Sequence, residues 1–214
     1  MRLYTYFRSS AAYRVRIALG LKGLEWEAVP IHLVQDGGQQ HSEAYKAVNP
    51  AGLVPALEDK GAVLTQSLAI IEYLEETHPE VSLLPGDAVS RAHIRALAQS
   101  IASDLHPINN LRVLKHLEHG LGLDAEQRKA WYLHWIGVGL EAFEKQLAFH
   151  NKAGDFCYGN TPTLADVCLA PQVYNANRFG YSVDHLPRIA KAVQACSQLP
   201  AFIQAEPANQ ADAE

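Results

Sequence analysis

The spacing of apolar residues changes character about 80 residues into the chain. Before Glu80 the apolar runs are short and mixed: "RLYTYF" (2–7) alternates and predicts a strand, and "AYRVRIALGLKGL" (12–24) has a helical repeat. From Asp87 on, every long segment has helical spacing. The pattern therefore predicts an α/β domain followed by an all-helical domain.

The first part predicts the element order β-α-β, then α, then β-β-α. A strand in "EWEAVPIHL" is expected at a sheet edge, because Pro30 cannot donate a ladder hydrogen bond. A short helix in "SEAYKAVNP" is expected to end before Pro50. "LVPALED" and "AVLTQ" predict two strands joined at residues 59–61. "SLAIIEYLEETHP" predicts a helix with Ser67 as its N-cap.

The pattern of the second part of the chain predicts helices only. The first is expected to run through "SRAHIRALAQSIASDLHPINNLRVLKHLEH", interrupted by Pro107 alone, and the second through "DAEQRKAWYLHWIGVGLEAFEKQLAFH". The spacing of Thr163 and Asp166 is that of a capping box opening a third helix. A last helix lies in "LPRIAKAVQACSQL", and the polar tail "EPANQADAE" is expected to fray. We predict two domains, residues 1–82 and 87–214.

Composition excludes several classes of function. The 18 basic and 23 acidic residues give a net charge of −5, so a nucleic-acid partner is not expected. The chain shows no run of about 18 apolar residues and no signal-peptide core, so we expect a cytosolic protein without a membrane partner. Three cysteines without metal spacing fit buried thiols in a reducing compartment. His116 and His119 lack a third ligand, so no metal is expected.

Three dipeptides of the first part carry candidate chemistry: Ser9-Ser10 at a strand–helix junction, Val54-Pro55 before a strand, and Gln66-Ser67 at a helix start. In a thioredoxin-like unit these dipeptides converge. A proline in this position is a candidate cis peptide, and helix N-termini attract anions. The set predicts a site for a peptide-like ligand with a carboxylate and a thiol.

Each of these features also has a purely structural interpretation. The serines and Gln66-Ser67 would serve as helix caps, and Pro55 would only mark the start of a strand. Arg14 and Arg16, at the start of the first helix, are interpreted as salt-bridge or interface residues.

Further motifs extend the pattern along nearly the whole chain. "SSAAYRVRIAL" is similar to the Ser-Ser-Cys-x-x-Arg-Val-Arg-Ile-Ala-Leu signature of the zeta class of cytosolic glutathione transferases. "DGGQQHS", "NPAGLVPAL", "LTQSLAIIEYLEE", "HPINNLRVL" and "TPTLADVCLAPQV" match the pattern of that class in order. Ala11 departs from it, because many zeta enzymes carry cysteine there. The resemblance implies a thioredoxin-like α/β domain followed by an all-α domain.

The resemblance also implies glutathione as the cofactor. Ser9 would hydrogen-bond the glutathione sulfur, with Ser10 beside it as a second candidate. The other implied glutathione contacts are Gln40, Val54, Pro55, Gln66, Ser67, His106, Asn110 and Arg112. The implied contacts to a dicarboxylate substrate are Arg8, Arg112 and Arg178.

The activity that the resemblance implies is glutathione-dependent cis–trans isomerisation of maleylacetoacetate, in aromatic amino-acid breakdown, by a homodimer. The helix of Arg14 and Arg16 and the first long helix are the candidate dimer faces. Three alternatives remain open: isomerisation of maleylpyruvate in gentisate breakdown, general glutathione conjugation, and a non-enzymatic binding module on the same fold.

Overall fold

The structure, a computed structural model, describes residues 1–214 apart from the side chain of Asp36. The chain divides into two compact units, one formed by Met1–Leu83 with Ser197–Glu214 and the other by Leu84–Cys196. The sequence pattern placed residues 197–214 in the helical domain. The structure differs because this C-terminal segment packs against the first helix of the first unit.

The first unit contains a sheet with helices. Its strands are β1 (Arg2–Thr5), β2 (Glu27–Pro30), β3 (Ala56–Asp59) and β4 (Ala62–Thr65). Its first helices are α1 (Ser10–Leu21), α2 (Glu43–Lys46) and α3 (Ser67–Thr77), with 3₁₀ turns at Gln35–Gly37 and Gln39–His41. The α/β class predicted for this part of the chain is confirmed.

The sheet has the strand order β2-β1-β3-β4, with β2 parallel to β1 and the other neighbours antiparallel. The predicted edge position of β2 is confirmed, and Pro30 is its last residue. The core of this unit lies on α1, α3 and the central strands. Its large, fully buried apolar side chains include Leu3, Ile17, Leu19, Leu57, Ile70, Ile71 and Leu74.

Arg14 and Arg16 lie inside this unit, with 1% and 2% of their surface exposed. Their interpretation as interface residues is therefore wrong, and because residues 12–19 are all buried, the choice of their helix as a dimer contact is wrong as well. The physical reason is the supply of acceptors: Arg16 donates to Thr5 Oγ1 and to the carbonyls of Tyr6, Phe7 and Ala205. A buried guanidinium is tolerated where its donors are satisfied in this way.

The C-terminal segment completes the first unit with α10 (Pro200–Ala205) and a 3₁₀ turn at Pro207–Asn209. A Cβ on Gly20 would lie 3.1 Å from the Cβ of Ala201, so the glycine permits the close approach of α10 to α1. The tail, residues 206–214, is not frayed as its polarity suggested. Asp212 accepts a hydrogen bond from the backbone amide of Phe7 at 3.0 Å.

The second unit is helical. Its helices are α4 (Ala88–Gln99), α5 (His106–Ile108), α6 (Leu111–His119), α7 (Ala125–His150), α8 (Leu164–Arg178) and α9 (Pro187–Cys196). No helix in the described chain is long and apolar enough to cross a membrane.

The long helix expected before His119, with Pro107 as its one interruption, is wrong in the number and place of its irregularities: Pro107 lies within α5, and the break follows at Asn109. A π-helical segment, Ser100–Leu105, follows α4, and Pro107 lies just beyond it without an amide hydrogen to continue the hydrogen-bond ladder. The chain then leaves helical geometry, and α6 begins afresh with Asn110 as its N-cap, whose Oδ1 accepts from the Arg112 amide at 3.1 Å.

The capping box that opens α8 is confirmed. Both carboxylate oxygens of the fully buried Asp166 are used, by the amide and hydroxyl of Thr163 and by the amide of Cys157. Burial raises the pKa of Asp166, although these hydrogen bonds act in the opposite direction. The carboxyl is therefore a structural anchor.

A buried ion pair fixes the segment that follows α3, residues 78–83. Lys22 Nζ lies 2.9 Å from Glu75 Oε2 and donates to the carbonyls of His78 and Val81. Glu75 also accepts from the Leu83 amide and the Ser82 hydroxyl. Burial acts to raise the pKa of Glu75, but these hydrogen bonds outweigh it, so the pKa lies below its ordinary value.

We expect Glu75→Gln to lower the free energy of unfolding at pH 7 by about 1–3 kcal/mol, because it removes a charge-assisted acceptor from a buried ammonium. The folded-state pKa of Glu75 is depressed, so its contribution is fully present above the unfolded pKa and is lost as pH falls through the folded value. Urea unfolding should therefore show the two proteins converging below about pH 4.

The control is Glu27→Gln, which breaks an exposed ion pair with Arg2. It should change the free energy of unfolding by less than about 0.5 kcal/mol. A Glu75→Gln effect that persisted unchanged at pH 3 would contradict the electrostatic account.

Candidate active site

The strand register brings the predicted segments of the first unit to one end of the sheet. Ala56 pairs with Tyr4 on one side and with Thr65 on the other, and Thr5 pairs with Pro30. The segment after β1, the loop after β2, the residues before β3 and the start of α3 therefore all lie at this end. The convergence expected of the candidate dipeptides is a consequence of this register.

Ser9 closes a turn and starts a helix. Its amide donates to Tyr6 O at 2.9 Å, so Tyr6–Ser9 is a hydrogen-bonded turn, and its Oγ accepts from the Ala12 amide at 3.2 Å as the N-cap of α1. A serine hydroxyl can accept and donate at once. The cap bond therefore leaves the hydroxyl hydrogen of Ser9 for a ligand. Ser10, by contrast, is the first helical residue and only 5% exposed.

The peptide bond between Val54 and Pro55 is cis. Both residues are buried, and they precede β3, whose ladder begins at Ala56. The carbonyl just before them, that of Leu53, accepts from Tyr45 Oη at 2.6 Å and from Asn49 Nδ2 at 2.7 Å. These two side chains, which the sequence analysis did not single out, fix the approach to the cis bond.

The start of α3 differs from the expectation, because Gln66 and not Ser67 is the N-cap. Gln66 has φ of 69° and makes no side-chain capping bond, so the first amides of α3 are not capped by that side chain. A non-glycine residue with positive φ stores strain and is often found at ligand sites. Behind it, Ser67 Oγ accepts from Arg14 Nη1 at 3.2 Å. The arrangement is suited to an anion.

Gln40 lies in the second 3₁₀ turn of the loop after β2, with 6% of its surface exposed. Its Nε2 lies 3.4 Å from Leu33 O and 3.0 Å from His41 Nε2. Its Oε1 has no hydrogen-bond partner within the described part of the chain. A buried acceptor left open at this end of the sheet fits a ligand that supplies an N–H group.

Arg8 is the exposed cation of this unit's site. Its guanidinium lies 4.7 Å from the centre of the Phe7 ring, at the second central position of the Tyr6–Ser9 turn. It therefore stands one residue from the Ser9 hydroxyl and faces solvent.

The second unit holds the other predicted residues on three separate elements. His106 opens α5 and its Nε2 lies 3.4 Å from Nδ2 of Asn110, the cap of α6. Arg112 is exposed in the first turn of α6. Arg178 is exposed in the last turn of α8, where its Nη1 lies 3.3 Å from Asn175 Oδ1. The three residues expected on one helix, His106, Asn110 and Arg112, are divided by the break at Asn109.

Tyr132 of α7 connects these elements and was missed by the sequence analysis. Its carbonyl accepts from Asn109 Nδ2 at 3.1 Å, and its ring stacks on Phe179 with centroids 3.7 Å apart. Burial raises the pKa of Tyr132 to about 12, and the charge of Arg178 opposes that rise. A tyrosine directly after Trp131, in the same aromatic stretch as Trp135, was the available signal, but helical spacing alone does not separate it from a core residue.

The protein's own thiols are not candidates for nucleophiles. Cys157, Cys168 and Cys196 are all buried, and burial followed by the charge of Asp166 raises the pKa of Cys157 and Cys196. A raised pKa suppresses the reactive thiolate. The described residues also contain no His, Cys, Asp or Glu cluster that could hold a metal ion.

Comparisons with known proteins identify the family of this chain. The glutathione S-transferase N-terminal domain family matches residues 3–82. A probable maleylacetoacetate isomerase of Vibrio cholerae is 48% identical over 211 residues, which is 99% of this chain and 97% of that protein.

Two solved structures are similar over their full length. The holo structure of a maleylpyruvate isomerase, a bacterial glutathione S-transferase in the zeta class, has a TM-score of 0.96 at 45% identity and 100% coverage of both chains. The maleylacetoacetate isomerase of Methylobacterium extorquens AM1, with bound malonate and glutathione, has a TM-score of 0.95 at 39% identity and the same coverage.

The architecture is that of a glutathione transferase, with a thioredoxin-like first unit and a helical second one. Within that class, the chain belongs to the zeta family that includes the maleylacetoacetate and maleylpyruvate isomerases.

Proposed function

We propose that the protein is a glutathione-dependent cis–trans isomerase of maleylacetoacetate. The observation that carries the proposal is the meeting of Ser9, Val54-Pro55 and Gln66-Ser67 at one end of the sheet, in a chain related over its whole length to such isomerases. Maleylpyruvate is the second candidate substrate, because an isomerase of that acid matches the chain with a TM-score of 0.96.

The residues of the first unit fit glutathione. The amides at the start of α3, with the Ser67 hydroxyl, suit its γ-glutamyl carboxylate, and the side-chain amide of Gln66 suits the same group. The open Oε1 of Gln40 and the backbone at Val54-Pro55 suit the peptide groups of the cysteinyl and glycyl residues. A thiol held in this register would come to the Ser9 hydroxyl, with Ser10 one residue further into the helix.

When bound, glutathione supplies a thiolate that adds reversibly to the cis double bond and leaves after rotation about the resulting single bond. Ser9 donates its hydroxyl hydrogen toward the sulfur, and the N-terminus of α1 adds its positive dipole end. Both lower the free energy of the thiolate relative to the thiol.

Three exposed arginines, Arg8, Arg112 and Arg178, are assigned to the carboxylates of the substrate. Arg8 lies beside Ser9, and Arg112 and Arg178 are the candidates of the second unit. A guanidinium binds a carboxylate with two parallel hydrogen bonds and neutralises charge that develops during addition. His106 and Asn110 are proposed as further glutathione contacts.

We also propose a homodimer located in the cytoplasm. Support for the cytoplasm comes from three buried free thiols, which suit a reducing compartment. The dimer is proposed from the resemblance to zeta-class glutathione transferases, not from a contact of this chain.

We expect Ser9→Ala to lower kcat by roughly 30- to 1,000-fold, equivalent to about 2–4 kcal/mol of transition-state stabilisation, because one positioned donor is lost. The dissociation constant for glutathione should change little. The matched control is Ser42→Ala, since Ser42 caps α2 through a bond of the same length, 3.2 Å to the Tyr45 amide. Each variant should lose about 1 kcal/mol of stability. Retained turnover in Ser9→Ala would transfer the role to Ser10.

We expect Arg8→Met and Arg178→Met to lower kcat/KM for a maleyl acid by roughly 10- to 100-fold, because each removes a carboxylate contact. Conjugation of a neutral electrophile should barely change. Arg2→Met is the control, because Arg2 is also exposed but lies at the opposite end of β1, beside Glu27 and Glu58. Equal losses on both substrates would contradict the dicarboxylate assignment.

These assays also separate the alternatives. High turnover of neutral electrophiles without isomerisation would indicate a general conjugating transferase. Glutathione binding without any turnover would indicate a non-enzymatic binding module. Relative kcat/KM for maleylacetoacetate and maleylpyruvate assigns the natural acid.

Light scattering at micromolar concentration should give twice the chain mass of 23.5 kDa. The Arg14 and Arg16 face of α1 is excluded as the contact, since both side chains are inside the chain. A single species at the chain mass would contradict the dimer.

A further inference from the structure

Two charged side chains from other parts of the chain, Arg16 and Asp212, hold the Tyr6–Ser9 turn, which presents the Ser9 hydroxyl. Arg16 Nη2 donates to Phe7 O at 3.0 Å and Arg16 Nη1 to Tyr6 O at 3.3 Å. On the other side, Asp212 Oδ2 accepts from the Phe7 amide at 3.0 Å. The N–H and C=O of Phe7 are thus each bonded to an ionised group, which makes stronger hydrogen bonds than a neutral one.

The two charged groups also connect the turn to the C-terminal segment. Arg16 Nε donates to Ala205 O at 3.0 Å, at the end of α10, and Asp212 lies in the tail itself. Ala205 and Asp212, seven positions apart, are therefore both connected to the turn: Ala205 through Arg16, and Asp212 directly.

The tail also contacts the second loop of the site. Glu214 Oε1 accepts from Gln35 Nε2 and lies 3.2 Å from His32 Nε2. The His32 ring in turn accepts from the Gln35 amide at 2.8 Å through Nδ1, at the start of the loop that carries Gln40. The same nine-residue tail, 206–214, thus contacts both the turn of Ser9 and the loop of Gln40.

We propose that the tail is a positioning element of the site, in which Asp212 holds the Phe7 amide and so fixes the turn that presents the Ser9 hydroxyl. Asp212 touches neither cofactor nor substrate; it acts through the backbone. The sulfur must lie within hydrogen-bond distance of Ser9 Oγ for the donor to work. A turn released at Phe7 moves that donor while the anion site at the start of α3 stays in place.

This inference rests on the proposed function, and its test measures the pKa of the glutathione thiol bound to the full-length protein. The readout is the ultraviolet absorbance of the thiolate as a function of pH. In Asp212→Ala we expect the bound thiolate at neutral pH to fall by about 3- to 10-fold, with a parallel fall in kcat. The dissociation constant for glutathione should change by less than about 3-fold, because Gln66 and Ser67 are untouched.

Two variants distinguish positioning from simple destabilisation. Asp212→Asn keeps a side-chain oxygen for the Phe7 amide and should restore most of the thiolate. Gln210→Ala removes two hydrogen bonds of the same tail, to Gln204 O and Glu206 O, without touching either site segment. It should leave the bound thiol as in the wild type. If Asp212→Ala does not fold, Asp212→Ser replaces it, because its shorter side chain cannot reach Phe7.

The outcomes are separable. A wild-type protein that does not lower the thiol pKa of bound glutathione overturns the proposed function itself. A wild type that lowers it, with an unchanged value in Asp212→Ala, overturns the positioning role alone. Equal shifts in Asp212→Ala and Gln210→Ala also overturn it, because generic tail packing would then suffice.

Discussion

The buried guanidinium of Arg16 is the interaction on which the first unit depends. It joins β1, the turn after it and the C-terminal segment through Thr5, Phe7 and Ala205. Burial lowers the pKa of Arg16 to about 10, while Tyr13 and Asp212 act to raise it, so the group stays charged at neutral pH. Replacing it would leave several buried acceptors without a donor, and such losses cost far more than the bonds contribute when present.

The second buried arginine of α1, Arg14, holds a different part of the first unit. Arg14 and Arg16 are two residues apart, so their side chains leave α1 in nearly opposite directions. Arg14 reaches Ser67 at the start of α3, and Arg16 reaches the turn before Ser9. One short stretch of α1 therefore fixes two parts of the candidate site: the anion-binding helix start and the turn that carries the hydroxyl.

The sequence was sufficient for features that depend on local chemistry. Pro30 predicted the edge strand, and Thr163 with Asp166 predicted the cap of α8, because each follows from a single residue type or spacing. Failures occurred where distant contacts decide. The burial of Arg16 depends on an acceptor 189 positions away, Ala205, and the order of the tail on a donor 205 positions from Asp212, the Phe7 amide.

The broken helix before His119 is an intermediate case. Pro107 was recognised, but a proline can be accommodated by a kink, and the π-helical segment before it adds a second departure that periodicity does not encode. The three candidate dipeptides of the first unit were found because they occupy strand and helix ends, which sequence marks with serine, proline and glutamine, whereas Arg8 and Gln40 came only from the family resemblance. Tyr132 was missed because its position is typical of a core aromatic.

The replacement of the class cysteine by Ala11 bears on the proposed chemistry. Ala11 lies in the first turn of α1, two residues from Ser9 and partly exposed, so a thiol there would share the dipole end that favours a thiolate. The cysteines of the described chain are instead buried, and burial raises the pKa of Cys157 and Cys196. A thiolate at the Ser9 hydroxyl would therefore meet no competing cysteine thiolate at position 11. The site would also lack a thiol of its own that an electrophilic substrate or an oxidant could modify.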